Sequence, residues 1–463
     1  MPADDPSPSE ELSPLGDPRP LPDRSPLEDQ PIPGGQPPEP AEIGLPPEPV
    51  RGRRGLLLLG TGLILIGLNL RIGVASIGPV LGDIRASLGL SATMASLLTT
   101  IPVFAFGAFA FFTPALTRRI GMHRLLGVMI LALAAGILLR LHPSLLALFL
   151  GTVIVGAAIA IGNVVMPPAI KQDFSHRAGL MMGLYSTALF VGAAAASGLT
   201  VPMLPLAGGD WRAALALWSV PAVLAAVIWI PQIRRAPGRM KTSGDVADAP
   251  SEQGEPPLRS LFTDPTALAV TALMGLQSTS YYAALTWVPT ILQDAGMASG
   301  PAGWLLSYSA FPGILAALVT PAIARRLQPQ WLPVLVAVLL TAAAYLGLAL
   351  APTSGTWVWM TVMGLGQGAS ISLSLTYIVW RSPDTHHTGH LSTMAQGFGY
   401  LLAGLGPLAL GAVHALTGGW DVPLVVLGVL LIAQLSAGIV ASRPVTIGAR
   451  AAAAESAPEP VPA

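Results

Sequence analysis

The stretch LLLLGTGLILIGLNLRIGVASIGPVL, Leu56 to Leu81, decides the fold, because it is apolar and long enough to cross a bilayer as a helix. It carries one charge, Arg71. At about 1.5 Å of rise per residue, Arg71 lies roughly 22 Å from Leu56 and about 15 Å from Leu81, near the middle of a membrane. A guanidinium there costs at least about 2.5 to 3.5 kcal/mol on insertion scales, so it should face a bundle interior or a water-filled cavity. Two readings follow: a fixed cation that binds an anionic or strongly polar solute, or an Arg that locks two helices together through their carbonyls.

Working outward, the whole chain has the same character. Of its 463 residues 52% are hydrophobic and only 10% charged, and the mean hydropathy is +0.64, whereas a soluble domain is about 25% charged. The chain reads as an all-α integral membrane protein. It has no cysteine, which excludes disulfides, thiol chemistry and thiolate-held clusters. Residues 1–50 hold eleven Asp and Glu and sixteen Pro against Arg19 and Arg24, so the rest of the chain is net positive. That composition predicts a disordered, acidic, Pro-rich tail. No basic region followed by an apolar stretch stands near Met1, so no cleavable signal is expected.

Twelve apolar runs of spanning length recur, at about 56–81, 92–116, 124–141, 145–169, 179–202 and 212–231, then 265–292, 301–324, 331–351, 356–380, 390–416 and 421–441. The expected organisation is a tail (1–50), a six-helix bundle (51–231), a polar linker (232–262), a second six-helix bundle (263–443) and a terminal tail (444–463). Lys and Arg gather in alternate connections, with only Arg85, Arg140 and Arg212 on the other side, so both termini are expected in the cytoplasm. The halves repeat: Thr113-Pro114-Ala115-Leu116-Thr117-Arg118-Arg119 is echoed by Thr320-Pro321-Ala322-Ile323-Ala324-Arg325-Arg326. Equivalent placement in halves of equal orientation suggests parallel repeats about a central cavity.

These features resemble the major facilitator superfamily, and within it the cyanate and 2-nitroimidazole transporter group. The residues that carry the resemblance are Leu68-Asn69-Leu70-Arg71, Leu97-Leu98-Thr99-Thr100-Ile101-Pro102 and Arg118-Arg119-Ile120-Gly121-Met122-His123-Arg124. Others are Gly162-Asn163-Val164-Val165-Met166-Pro167, Ile170-Lys171-Gln172-Asp173-Phe174, Gly275-Leu276-Gln277-Ser278 and Trp287-Val288-Pro289-Thr290-Ile291-Leu292. The resemblance implies two bundles rocking around a central site, in a multi-pass protein of a bacterial inner membrane. Its implied partners are a small-molecule solute and membrane lipid, with no nucleic acid and no cofactor, and it implies a monomer. Arg118 stands where the wider superfamily usually has an Asp that helps to lock one gate. The basic pairs Arg118, Arg119 and Arg325, Arg326 are therefore the candidate gating residues.

Candidate solute-binding residues centre on Arg71. Asn69 lies about 200° around the helix from it, so the two share a face only if the helix unwinds, which Gly67 and Gly73 would permit. Gln277 and Tyr281, and Gln396 and Tyr400, are pairs four apart and so share a helix face. With Tyr282 and Trp287 they could offer donors and an aromatic plate to a small planar solute, or serve interhelical packing. Asn163 belongs to a run that the resemblance places at the cavity, and Gln367 in GLGQG suits close packing. The run His386, His387 and His390 is expected to be a solvated loop rather than a metal site. No carboxylate is expected deep in the membrane, which disfavours carboxylate-coupled drug efflux, and no GxxxxGK[ST] sequence supports ATP hydrolysis. A secondary or facilitative transporter of a small anionic or polar heteroaromatic solute is favoured. A membrane enzyme is poorly supported, and a non-transporting sensor and a multidrug efflux permease are the other readings.

Overall fold

The computed structural model describes residues 53–235 and 258–448. The expected tail over 1–50, the end of the second tail and the middle of the expected linker lie outside the described residues. Twelve long helices organise the rest: α1 (Arg53–Ala75), α2 (Ala92–Ala110), α3 (Met122–Leu139), α4 (Leu145–Asp173), α5 (Ala178–Met203), α6 (Ser219–Arg235), α7 (Pro265–Asp294), α8 (Ser299–Arg326), α9 (Leu332–Leu350), α10 (Thr356–Trp380), α11 (Thr385–Thr417) and α12 (Asp421–Ala441).

Proline accounts for several places where helices depart from the apolar runs. The first run holds as part of one span, Gly55–Leu88, but changes helix type along it: α1 ends at Ala75, and Gly78–Val80 forms a 3-10 turn containing Pro79 before a short helix over Leu81–Leu88. The second run breaks by 59° between Ala110 and Thr113, where Pro114 opens the helix Thr113–Ile120 without an N–H to give. The sixth run holds as one span, Trp211–Arg234, with the single turn residue Trp218 between Trp211–Leu217 and α6. The histidine run is not a loop but the first turns of α11, whose N-terminus is capped by Asp384 accepting from the His387 amide.

Ten helical segments among the described residues are long and apolar enough to cross a membrane, and the bent pair makes an eleventh. The twelfth, α7, is not among them, because Gln277-Ser278-Thr279-Ser280-Tyr281-Tyr282 interrupts its apolar run midway. Large apolar side chains such as Leu339, Leu346, Val425 and Ile432 are exposed on α9 and α12, as expected of surfaces turned toward lipid.

The packing repeats in the two halves. In the first, α1 packs on α4, α5 and α6, α2 on α4, and α3 on α4 and α6. In the second, α7 packs on α10, α11 and α12, α8 on α10, and α9 on α10 and α12. Contacts between halves run through α2 with α11, α5 with α8, α4 with α10 and α11, and α5 with α10. Glycine permits the closest approaches: a Cβ on Gly192 of α5 would lie 2.1 Å from the Leu68 oxygen of α1, and one on Gly183 would lie 2.8 Å from the Leu318 oxygen of α8. The end of the molecule that carries Arg118, Lys171, Arg326 and Arg381 is called the basic end below.

Candidate functional site

Arg71 is 9% exposed, so its guanidinium is inside the protein and not against lipid. It reaches from α1 across to the other half. Nη1 donates to the Tyr282 hydroxyl of α7 at 2.9 Å, and Nη2 to the Tyr400 hydroxyl of α11 at 3.4 Å. The Phe106 ring of α2 lies 6.0 Å from the guanidinium carbon and packs edge-on against Tyr400, with centroids 5.3 Å apart. Tyr281 and Tyr185 lie within electrostatic range of the same cation. Tyr281 stands at right angles to Tyr282 on one side and to Phe190 of α5 on the other.

The chain has only seven tyrosines, and Tyr185, Tyr281, Tyr282 and Tyr400 converge on this one cation from three helices. The clustering marks the place as built rather than incidental. The phenols are weak, neutral partners. Among the described residues no carboxylate bonds Arg71, so its charge is solvated by hydroxyl dipoles and aromatic faces rather than neutralised.

A second polar layer adjoins the first. The Tyr185 hydroxyl donates to Asn163 Oδ1 on α4 at 3.3 Å. Gln396, one turn from Tyr400 on α11, donates through Nε2 to the Asn163 backbone oxygen at 2.7 Å and to Ser392 Oγ at 2.9 Å. Ser392 in turn donates to the Val164 oxygen at 2.8 Å. Both halves therefore contribute to one continuous site, drawn from α1, α2, α4, α5, α7 and α11.

Of the sequence-derived candidates, Arg71, Tyr281, Tyr282, Tyr400, Asn163 and Gln396 are brought together here. Asn69 is turned the other way: α1 stays helical through Gly67 and Gly73, and Asn69 Nδ2 bonds the Leu65 and Pro221 oxygens. The unwinding that would have aimed it at the site does not occur, because both glycines serve close packing, against Tyr185 and Val155. Gln277 is buried and bonds Ser278 Oγ at 2.7 Å on its own helix. Trp287 donates to the Pro407 oxygen and packs on Trp420, and Gln367 donates to the Tyr345 hydroxyl. Arg118, Arg119, Arg325 and Arg326 lie exposed at the basic end.

Several functional-looking contacts escaped sequence reading. Tyr185, beside Ser186 and Thr187, has no polar residue three or four positions away to mark its helix face, and only the scarcity of tyrosine could have drawn attention to it. At the basic end Lys171 Nζ donates to the Val379 oxygen of α10 at 2.9 Å and also to the Ser382 oxygen, joining the halves. Asp173 holds His123 of α3 at 2.8 Å, both nearly buried, and the His123 ring stacks on Trp229 of α6. At the opposite end Arg140 is fully buried and donates to the Gly73 oxygen at 2.9 Å, capping the end of α1.

Comparison with known proteins shows the family and the fold. The family model described as Major Facilitator Superfamily matches residues 57–407. The chain is 38% identical over 388 residues to the transporter YycB of Bacillus subtilis (strain 168), covering 83% of this chain and 93% of that one. It is 33% identical over 394 residues to the 2-nitroimidazole transporter of Escherichia coli (strain K12), covering 85% and 97%. To the cyanate transport protein CynX of the same strain it is 31% identical over 359 residues, covering 77% and 90%. Among solved structures, the fucose:proton symporter FucP of E. coli superposes with a TM-score of 0.64 at 13% identity, covering 84% of this chain and 99% of that one. At that identity the likeness is one of fold.

Proposed function

Because the chain belongs to the major facilitator superfamily and is a multi-pass membrane transporter of small solutes, we propose that its solute is a small anion or a polar heteroaromatic compound held at Arg71. The observation that carries this reading is the Arg71 guanidinium between the two halves, hydrogen-bonded among the described residues to two phenols. A carboxylate-like, cyanate-like or nitro group would form charge-assisted, paired hydrogen bonds with it that are stronger than those from neutral hydroxyls. Two relatives are named for 2-nitroimidazole and cyanate transport, which supports both classes.

Alternating access follows from the contacts between halves. Arg71 belongs to the first half and its phenol partners to the second, so a solute that displaces a phenol alters the contact between them. With the basic end in the cytoplasm, as the distribution of Lys and Arg supports, the protein lies in a bacterial inner membrane with both termini inside. Contacts of α4 and α5 with α10 then hold the cytoplasmic side together. The basic pairs Arg118, Arg119 and Arg325, Arg326 stand at the same end as candidate gate residues. The two six-helix halves, residues 51–231 and 263–443, are the bodies that would rock, within a monomer.

The test is flux in proteoliposomes with labelled cyanate, 2-nitroimidazole and small carboxylates, for wild type, Arg71→Ala and Arg71→Lys. Flux is expected to be abolished by Ala and to fall severely with Lys, which lacks the planar fork. Undiminished flux in both variants overturns the reading and leaves Arg71 a scaffold residue.

A further inference from the structure

The second polar layer has a chemistry that the first does not. Gln396 is fully buried and Asn163 is 1% exposed. Each leaves one polar atom without a partner among the described residues: the acceptor Oε1 of Gln396 and the donor Nδ2 of Asn163. A buried unpaired acceptor or donor is costly and is rarely left so without purpose.

The orientation of Gln396 follows from its neighbours. Ser392 Oγ gives its proton to the Val164 oxygen, so it can only accept from Gln396, as can the Asn163 backbone oxygen. The amide nitrogen must face both, and Oε1 must turn away from them. Asn163 Oδ1 is occupied by the Tyr185 hydroxyl, which leaves Nδ2 to point elsewhere. The two open atoms thus come from opposite halves, across the bond that joins the two residues. They lie one helical turn toward the basic end from Tyr400 and its Arg71 contact, and Tyr185 links the layers, being near both Arg71 and Tyr400.

Resting on the proposed role of Arg71, we infer that Gln396 and Asn163 form a second subsite that reads a donor and an acceptor on the solute. Gln396 Oε1 accepts from an N–H of the solute, and Asn163 Nδ2 donates to a bare ring nitrogen or oxygen of the same solute. Arg71 meanwhile holds the electron-rich substituent. The solute class is an N–H azole, or a similar planar heterocycle, that carries an oxygen-bearing group. Cyanate has no N–H and fills only the Arg71 half of the site. Transfer to a site whose acceptor stays unmet is disfavoured steeply, because buried groups left unpaired discriminate more strongly than apolar fit does.

Binding to the purified full-length protein and flux in proteoliposomes are measured with 2-nitroimidazole, with 1-methyl-2-nitroimidazole and with cyanate. The wild type is expected to prefer the N–H compound over its N-methyl analogue by at least about tenfold. In Gln396→Met, which keeps the volume but removes the acceptor, that ratio should fall to within about twofold, by loss of affinity for the N–H compound. A wild-type ratio near one overturns the inference without recourse to any variant. So does a ratio that survives in Gln396→Met, which would indicate steric exclusion of the methyl group, or an equal weakening of both compounds, which would indicate a packing role. Arg71-dependent cyanate binding with no affinity for either nitroimidazole also overturns it, while leaving the proposed function standing. Binding of all three compounds that is indifferent to Arg71→Ala overturns the proposed function itself.

Discussion

Lys171 and Asp173 stand two residues apart at the basic end of α4 and face opposite halves of the protein. Asp173 Oδ2 holds His123 Nε2 of α3 at 2.8 Å within its own bundle, whereas Lys171 Nζ reaches the Val379 oxygen of α10 at 2.9 Å in the other. Two residues along a helix turn by about 200°, so one turn of α4 can be anchored behind and latched in front.

Loss of the latch should favour opening at the basic end. Hydrogen bonds to a charged group are worth about 1.5–3 kcal/mol, so Lys171→Ala should raise the open population by about tenfold or more. The chain has no cysteine, so a single Ser392→Cys reporter suffices. An impermeant maleimide added from the basic side should label it faster in the Lys171→Ala background, and unchanged labelling would show that the contact does not hold the gate.

Asp173→Ala should behave differently. Leaving the His123 ring without this partner in a nearly buried place costs about 1–3 kcal/mol, so thermal unfolding should shift downward. Intrinsic tryptophan fluorescence can follow this, because Trp229 lies against His123. The solute KM of whatever protein remains folded should change little.

The two phenols on Arg71 should not contribute equally. Tyr282→Phe removes the 2.9 Å bond and Tyr400→Phe the 3.4 Å one, and the shorter, better-formed bond is the stronger. Melting temperature without solute should fall more for Tyr282→Phe, and an equal fall would contradict the geometry.

Gly192→Ala should prevent α1 and α5 from closing, because the added carbon would meet the Leu68 oxygen at 2.1 Å with only backbone to yield. Overpacking of this kind costs about 1–3 kcal/mol or more. Gly198→Ala, six residues along the same helix with open space around it, should leave folded yield unchanged in the same expression and gel-filtration assay.

Asp384 gives a pH signature at the basic end. Partial burial alone would raise its carboxyl, but hydrogen bonds from the His387 amide and ring outweigh this and hold it below the ordinary range. A lowered value in the folded state means that its contribution is complete above the ordinary carboxylate range and is lost as pH falls through the lowered value. The stability difference between wild type and Asp384→Ala should therefore be flat from neutral pH to about pH 5 and shrink below about pH 4. A difference that grows on acidification would reverse the assignment.

Much of this was legible in the residues. Apolar length and the alternation of basic connections place the helices, since lipid forces every spanning segment to satisfy its own backbone. Arg71 stood out because a charge in such a run has few reasons to exist. Helical spacing paired Gln396 with Tyr400 correctly, but it could not say that Asn69 would bond Pro221 or that Trp287 would be committed to Trp420. Those outcomes depend on which helix arrives alongside, a matter of tertiary packing. Tyr185 and the two faces of α4 were hidden for the same reason. The breaks at Pro79 and Pro114 were visible as prolines, yet proline inside α4, α7 and α8 is tolerated without a break, so the residue alone does not announce the bend.

The midpoint of α7, rich in hydroxyls and amide, interrupts its apolar run, so that length and composition alone do not mark this helix as a span. Its Ser280 is met there by the Tyr345 hydroxyl of α9, at 2.7 Å. Insertion of α7 is therefore expected to depend on the helices that pack against it. That helix is also the one whose Tyr282 accepts the shorter hydrogen bond from Arg71.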